Sequence, residues 1–415
     1  MGTPSSGSAW GYIDQNGNKL GPSNYGGGAA YGATYTSGDV IGVALDLDTG
    51  TITFYKNNVS QGTAFSTNLA GTLVTPIFSV YDTSRGWSAN FGQRPFTYTP
   101  PSGFVALNTY NLPTPTILQG NKYMDATLYT GNGSTQVIVN NAQFKPDFVW
   151  IKDRTAAVDN VLIDSVRGTF TSGGNPYYGR LFSNTTAAEN VSSLDTVTAL
   201  NSNGFAVNSA GAGSYVNNTS DNYVGWQWQA GQGTNTSNTS GSITSTVSVN
   251  TTAGFSVVTW TGNGTIGATV GHGLGVAPSM IIVKQRSGTE SWATYHISLG
   301  ATKYLNLNQD IAAATSITRW NNTTPSSTVI TFYNDDVTNR SGGTYVAYCW
   351  AAIPGFSAFG SYTGNASADG PFVYTGFRPE FIIIKLSSAA GQQWIVWDTA
   401  RTTYNIMGDY LHPSL

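Results

Sequence analysis

Charge is scarce in this sequence. Of 415 residues, 18 are basic and 21 acidic, 9% in all, where soluble domains carry about a quarter. With a net charge of −3 and no basic run, the chain has no electrostatic footprint for nucleic acid. Cysteine occurs once, as Cys349, which excludes disulfides within the chain and cysteine-rich zinc sites. No apolar run is long enough to span a bilayer, and the N-terminus MGTPSSGSAW lacks a signal-peptide pattern. No membrane partner is expected, and a product acting outside a cell would have to leave by another route, such as lysis.

Glycine and aromatics are plentiful instead. There are 49 glycines, aromatics make up 13%, and Ser, Thr and Asn fill most polar positions. This composition suits strands joined by tight turns, with neutral hydroxyls and amides facing water. Alternating and Val/Ile/aromatic runs, without a long apolar stripe at helical period, predict an all-β protein with helix confined to short turns.

One pattern is written three times. YTGNG at Tyr129–Gly133 returns as WTGNG at Trp260–Gly264 and as YTGNA at Tyr362–Ala366. FKPDFVWIK, VAPSMIIVK and FRPEFIIIK follow, so that Thr130 to Lys152, Thr261 to Lys284 and Thr363 to Lys385 span 22, 23 and 22 residues. Such self-similarity means one supersecondary plan used repeatedly, at a period long enough for domains. Asn132-Gly133 and Asn263-Gly264 suit a tight hairpin; Ala366 predicts a different turn in the third copy. Each proline (Pro146, Pro278, Pro379) precedes a run that is apolar on both faces and reads as a central, buried strand.

Further on, YVGWQW (Tyr223–Trp228) matches YVAYCW (Tyr345–Trp350). Val224, Trp226 and Trp228 share one face of the first; Val346, Tyr348 and Trp350 share one face of the second. Core packing is the simpler reading, and a sugar-stacking platform is the alternative. An Asp-x-x-Arg pair occurs as Asp164/Arg167 and Asp398/Arg401, whereas the second copy has His296 and Leu299. A charge-assisted bond at a strand end is expected there, since catalysis would have to survive in a copy lacking both groups. Gly231–Asn250, almost wholly Gly, Ser, Thr and Asn, reads as a linker or a weakly structured strand pair.

No constellation for chemistry emerges, and no catalytic, metal, cofactor-binding or ligand-binding residue is assigned. His272, His296 and His412 sit in separate contexts without ligand spacing. Asp46 and Asp48 lack a full calcium-ligand set, and Asp48 suits a hairpin turn. GNPYYGR (Gly174–Arg180) reads as an exposed aromatic loop. A paired-carboxylate glycosidase would have to draw on only 21 acidic residues.

The first hundred residues differ. GDVIGVALDLDTGTITFYKNN (Gly38–Asn58) reads as a hairpin with Ile41, Val43, Leu45 and Leu47 on one face and a second turn at Asn57-Asn58. Together with GTAF (Gly62–Phe65), TPIFSV (Thr75–Val80) and NFGQRPF (Asn90–Phe96), it resembles the second half of a SPRY domain. That resemblance implies a two-sheet, concanavalin-like or jelly-roll-like antiparallel sandwich that binds without catalysis. Only nine residues precede Trp10, so either the sequence starts inside the domain or the sandwich is built unusually.

LNTYNLPTPTI (Leu107–Ile117), TGNG, DFVWIKDR, DSVRG, LFSNTTAAE (Leu181–Glu189), NGFAV and YVGWQWQAG resemble bacteriophage tail and virion structural proteins. The resemblance implies a non-enzymatic tail-fibre or appendage protein in the virion, made in the host cytoplasm. Its implied partners are other virion proteins and, through Tyr-, Asn-, Ser- and Gly-rich loops, a host-surface glycan or receptor, with homo-oligomerisation extending weak contacts. A cell-surface adhesin or lectin-type module and a glycan-cleaving tailspike are the alternatives. The expected organisation is a partial SPRY-like sandwich over 1–107, a linker over 108–122, repeat one over 123–230, a linker over 231–250, repeat two over 251–353 and a truncated repeat three over 354–415. Repeat three has 30 residues after its lysine, where repeats one and two take 76 and 66 to reach the final tryptophan, so an unfinished sheet is expected.

Overall fold

The structure is a computed structural model that describes residues 9–22, 28–66, 69–70, 74–80, 84, 86–111, 115–208 and 213–415. It divides into two compact units, Met1–Thr114 and Pro115–Leu415. All paired strands run antiparallel, and helix among the described residues is confined to two 3-10 turns, Thr109–Asn111 and Gly120–Lys122. The protein is all-β, as its alternation predicts. No helix among the described residues is long and apolar enough to cross a membrane. Residues 112–114 of the expected junction lie outside the described residues.

The N-terminal unit contains β1 (Gly11–Tyr12), β2 (Asn18–Leu20) and β3 (Ala29–Ala30) in one sheet. A second sheet holds β4 (Ile41–Asp46), β5 (Thr51–Lys56) and β6 (Val59–Phe65). Ile52, Phe54, Ala64 and Leu69 form its core, with Trp10, Tyr12, Tyr31, Ile41 and Leu45 packed against it. Val43, expected on the same face, is 59% exposed. The β4–β5 turn is held by Asp46, whose Oδ1 accepts from the amides of Asp48 and Thr49 at 2.9 and 3.1 Å. Asn57 and Asn58, at φ 45° and 69°, form the tight turn into β6.

In the C-terminal unit, repeat one runs through β7 (Met124–Thr130), β8 (Gln136–Val139), β9 (Phe148–Asp153), β10 (Val161–Asp164), β11 (Thr169–Ser172), β12 (Asn175–Tyr178), β13 (Leu181–Phe182), β14 (Val197–Asn201), β15 (Gly204–Val207) and β16 (Asn222–Trp228). Its main sheet is ordered β13-β10-β9-β16-β7 and its second sheet β14-β15-β8. The expected linker contributes β17 (Thr236–Asn238) and β18 (Ser245–Asn250), so the strand-pair reading of Gly231–Asn250 holds and the linker reading is corrected. Val247 is buried in a core with Val249 packed beside it, while the Ser248 hydroxyl accepts from the Gly231 amide; the low-complexity composition had hidden that alternation.

Repeat two follows with β19 (Phe255–Thr261), β20 (Ala268–Gly271), β21 (Met280–Gln285), β22 (Ala293–His296), β23 (Lys303–Asn306), β24 (Ala314–Thr315), β25 (Val329–Phe332) and β26 (Thr344–Trp350). Its main sheet, β19-β26-β21-β22-β23-β24, is extended by β18 and β17, and β20-β25 forms the second layer. Repeat three supplies a hairpin of β27 (Phe381–Ile384) and β28 (Ile395–Asp398), bridged to Leu411 at Val396.

Alternation sorts side chains between cores. On β9 and β10, Val149, Ile151, Val161 and Ile163 face repeat one's own second sheet. Ile281, Val283, Ala293 and Tyr295 do the same in repeat two. The opposite faces meet in a core that all three repeats build, from Phe148, Trp150, Trp226 and Trp228, from Met280, Ile282, Trp292 and Tyr348, and from Trp394 and Val396 with Phe381 and Ile383 packed against them. Trp226 is 1% exposed and Tyr348 fully buried, so the Val-aromatic-Trp face is core and not a sugar platform.

Candidate functional site

The repeated TGN triplet proves to be a clasp. In repeat one the Asn132 amide donates to Asn217 Oδ1 at 3.0 Å, and Asn217 Nδ2 returns a bond to Asn132 Oδ1 at 3.2 Å. Asn263 and Asn339 repeat this at 3.0 and 3.2 Å. The strand therefore leaves one sheet for the other at this point and makes no two-residue hairpin. The glycine ahead of each asparagine permits the close approach: a Cβ on Gly131 would lie 2.0 Å from the Asn218 carbonyl oxygen. In repeat three Asn365 Oδ1 accepts from the Ser367 amide at 3.1 Å, as Asn132 does from Ser134, and Ala366 takes φ 57°. The different turn expected there is thus corrected; the local turn survives, and among the described residues no distant asparagine closes on it.

The three lysines that close the buried strands reach across repeats. Lys152 Nζ of repeat one donates to the Leu415 carbonyl of repeat three at 3.0 Å. Lys284 of repeat two donates to Thr186 of repeat one at 3.1 Å, and Lys385 of repeat three to Asp310 of repeat two at 3.4 Å. The position just before the second hairpin strand follows the same order. Asn160 Nδ2 donates to Leu415 O at 3.0 Å, Trp292 Nε1 to Thr185 O at 3.1 Å and Trp394 Nε1 to Asn306 O at 2.9 Å. Repeat one thus grips three, two grips one, and three grips two. Burial lowers the pKa of each lysine, that of Lys284 to about 8 against the opposing pull of Glu290.

The Asp-x-x-Arg pairs belong to this ring. Asp164 Oδ2 accepts from Arg167 Nε at 2.5 Å and from the Tyr348 hydroxyl of repeat two at 2.9 Å. Asp398 Oδ2 accepts from Arg401 Nε at 2.6 Å and from Trp226 Nε1 of repeat one at 3.0 Å. Arg167 continues to Glu189, which also pairs with Arg286 at 2.8 Å. Burial alone would lower the Arg167 pKa, but Asp164, Tyr348 and Glu189 raise it on balance; burial and Asp164 push the Tyr348 hydroxyl well up. Sequence reasoning placed the pair at a strand end but missed both aromatic donors, which lie 172 and 184 residues away in the chain. It also missed Asp147, which is fully buried and accepts from the amides of Ala230, Gln232 and Gly233 at 2.7–2.8 Å where the chain passes from repeat one to two.

The remaining candidates do not converge. His272 is buried with Nε2 3.2 Å from the Ser326 carbonyl, His296 accepts from the Ser298 amide, and His412 Nδ1 lies 2.9 Å from the Trp394 carbonyl. Burial lowers the pKa of His272 and His296. Gly174–Arg180 forms part of the β11–β12 hairpin with Tyr177 buried and its hydroxyl bonded to Val191 O, which corrects the exposed-loop reading. Among the described residues no three His, Cys, Asp or Glu side chains group as a metal site would require.

In the N-terminal unit the accessible feature is aromatic. Phe78 and Trp87 are 50% and 44% exposed. The Trp87 ring lies 5.9 Å from Tyr35 and 6.3 Å from Phe78, which contacts Phe91 at 6.2 Å. Phe78 and Trp87 are held by the irregular segments after β6, and Trp87 Nε1 is tied to the Ser79 carbonyl at 3.1 Å.

Residues 1–94 match the SPRY domain. Over 90 residues the chain is 36% identical to a Ran-binding proteins 9/10 homolog of Drosophila melanogaster, covering 22% of this chain and 9% of that protein. It is 38% identical over 90 residues to Ran-binding protein 10 of Danio rerio and Ran-binding protein 9 of Homo sapiens, 14% and 12% of their lengths. The chain therefore spans a small part of these relatives. No solved structure matches. These relatives correct the functional expectation: they are Ran-binding proteins of animals, so the virion, tail-fibre and tailspike readings, the host-glycan partner and the virion location are withdrawn. Residues 119–415, all three repeats and most of the chain, match the domain of unknown function DUF7483, and the chain belongs to that family.

Proposed function

We propose that this chain is a non-enzymatic protein-interaction module whose SPRY unit recognises a polypeptide partner. The observation that carries this is the SPRY match over residues 1–94 together with its likeness to Ran-binding proteins 9 and 10. The Tyr35–Trp87–Phe78–Phe91 cluster supports it, because rigid aromatics exposed beside irregular backbone make contact area at low entropic cost. Scarce charge favours a partner segment read by apolar contact and neutral hydrogen bonds over one read by ion pairs. In the DUF7483 unit the buried acids Asp147, Asp164 and Asp398 are consumed by amides, arginines and aromatic donors, which leaves them structural tasks.

The test is to screen the full-length protein against a random-peptide library and against Ran, with Trp87→Ala as the counter-screen. Binding that weakens about 30-fold or more in Trp87→Ala, the effect of an aromatic hot spot, is the expected result. Ligands that bind wild type and variant alike, or no ligand at all, would overturn the assignment.

A further inference from the structure

The SPRY match ends at residue 94, but the first compact unit runs on to Thr114. The stretch past the match is tied back to it. Asn108 Nδ2 donates to the Phe91 carbonyl at 3.1 Å. Asn108 is itself fixed, since its amide donates to the Ala106 carbonyl at 2.9 Å and its Oδ1 accepts from the Tyr110 amide at 3.1 Å. Asn111 Nδ2 closes this turn by donating to the Ala106 carbonyl at 2.9 Å.

The carbonyl that Asn108 holds belongs to the aromatic cluster. Phe91 contacts Phe78, Phe78 contacts Trp87, and Trp87 contacts Tyr35. Phe91 lies in irregular backbone, so no strand ladder fixes it. Side-chain amides do so instead. Gln93 Oε1 accepts from the Phe91 amide at 2.6 Å, while Gln93 Nε2 donates to the Ala89 carbonyl at 2.8 Å. Asn90 Oδ1 accepts from the Gly92 amide at 3.0 Å. Gln93 and Asn90 are part of the loop they tie and move with it, whereas Asn108 holds it from outside. Gly92 permits that approach: it takes φ 97°, and a Cβ there would run into Asn108 Nδ2 and Ala106 Cβ.

We propose that Asn108 is a positioning residue of the polypeptide site, and that this site therefore extends beyond the SPRY match. The inference rests on the SPRY reading above. Asn108 acts through Phe91. Fixing the Phe91 carbonyl orients its ring, which backs Phe78, and Phe78 backs Trp87. Phe78 and Trp87 are 50% and 44% exposed, so packing alone leaves each ring open on one side. Ordering such rings only when a partner arrives costs affinity, and a frame that holds them beforehand removes that cost.

The test uses the full-length protein and the peptides that the Trp87 counter-screen selects. Asn108→Asp is close to isosteric: it keeps the acceptor for the Tyr110 amide and removes the donor to Phe91. Binding is expected to weaken about tenfold, with faster hydrogen exchange at Asn90–Gln93 and unchanged exchange in β4–β6. Gly92→Ala displaces the same side chain from the other direction and is expected to weaken binding similarly. The double variant Trp87→Ala/Asn108→Asp is expected to match Trp87→Ala within about twofold, because Asn108 then has no Trp87 ring to position. A merely destabilised unit would instead lose affinity by the same factor in both backgrounds. That additive result, or wild-type affinity in Asn108→Asp or Gly92→Ala, would overturn the inference and leave the SPRY reading standing. A screen that yields no Trp87-dependent peptide would overturn the SPRY reading itself, and the inference with it.

Discussion

Repeats one and two perform the same fold with different chemistry at one position. Where repeat one has Asp164 and Arg167, repeat two has His296 and Leu299. The difference follows what arrives from the neighbour. A hydrogen-bond donor from Tyr348 reaches Asp164, and one from Trp226 reaches Asp398 in repeat three, but among the described residues His296 accepts only from its own repeat's Ser298 amide, with Phe359 of repeat three beside the ring. A buried carboxylate is tolerable where arginine and an aromatic donor both meet it, and costly where they do not. The pair is therefore a marker of a closed joint between repeats.

Removing the acid from a closed joint is expected to have the largest effect. Asp164→Ala leaves Arg167, with a side chain 1% exposed, without its nearest partner, and should cost about 3 to 5 kcal/mol. His296→Ala, at the same position of the open joint, should cost about 1 kcal/mol or less. Urea unfolding of the full chain measures both, and equal losses would break the distinction between the joints.

Next in size is the clasp. Gly131→Ala drives a Cβ to within 2.0 Å of the Asn218 carbonyl oxygen and should cost about 1 to 3 kcal/mol. Gly364→Ala, at the same letter of repeat three, meets nothing within 4 Å and should stay within about 0.5 kcal/mol of wild type. Thermal unfolding of the two variants side by side tests whether the triplet matters only where a distant asparagine closes on it.

Trp226→Phe is subtler. It keeps the ring in the shared core but deletes the Nε1 donor that lies 3.0 Å from Asp398, and should cost about 1.5 kcal/mol, the usual worth of a bond to a charged group. Tyr348→Phe is the matching change at the other joint. A loss in one and not the other would show that the joints are not equivalent.

These contrasts also mark what the sequence could reveal. Strand faces were legible because alternation is local: Val224, Trp226 and Trp228 had to share a face whatever covered it. What covers it was not legible, since Phe148 meets Tyr348, 200 residues on, at 4.1 Å. The Asn-Gly turns were misread for the same reason. Asn132 is committed to Asn217, and no window around Asn132 contains that partner. Gly231–Asn250 hid two strands behind hydroxyls, because Ser and Thr suit the solvent-facing positions of a strand as well as they suit a linker. Function was the least legible, since neutral loops and repeats specify no ligand, and the resemblance of the repeats pointed to a particle whereas the matched relatives of residues 1–94 are Ran-binding proteins.

The smallest effect expected lies in the lysine ring and is best read through pH. Lys284 is fully buried and donates to the carbonyls of Thr186, Gln285 and Gly288 at 2.8–3.1 Å. Burial lowers its pKa from 10.5 to about 8, with Glu290 pulling the other way. Below pH 8 the lysine is charged in both folded and unfolded chains, and the full penalty for burying the charge is present. Between about pH 8 and 10.5 the unfolded chain holds the proton that the folded chain has lost, so stability rises with pH across that window. The unfolded cysteine and tyrosines begin to ionise near pH 9 and 10, while burial holds Cys349 at about 12, and this works in the opposite direction. Lys284→Met isolates the lysine, because every other group is shared with wild type. At pH 7 the change should be within about 1 kcal/mol, since an apolar replacement of a buried charge is often nearly neutral. From pH 8 to 9.5 wild type should gain stability relative to Lys284→Met, measured as the difference between their urea midpoints. A constant difference over that range would mean that the proton is lost at the same pH in both states, and that Lys284 is not held in the dry joint between repeats two and one.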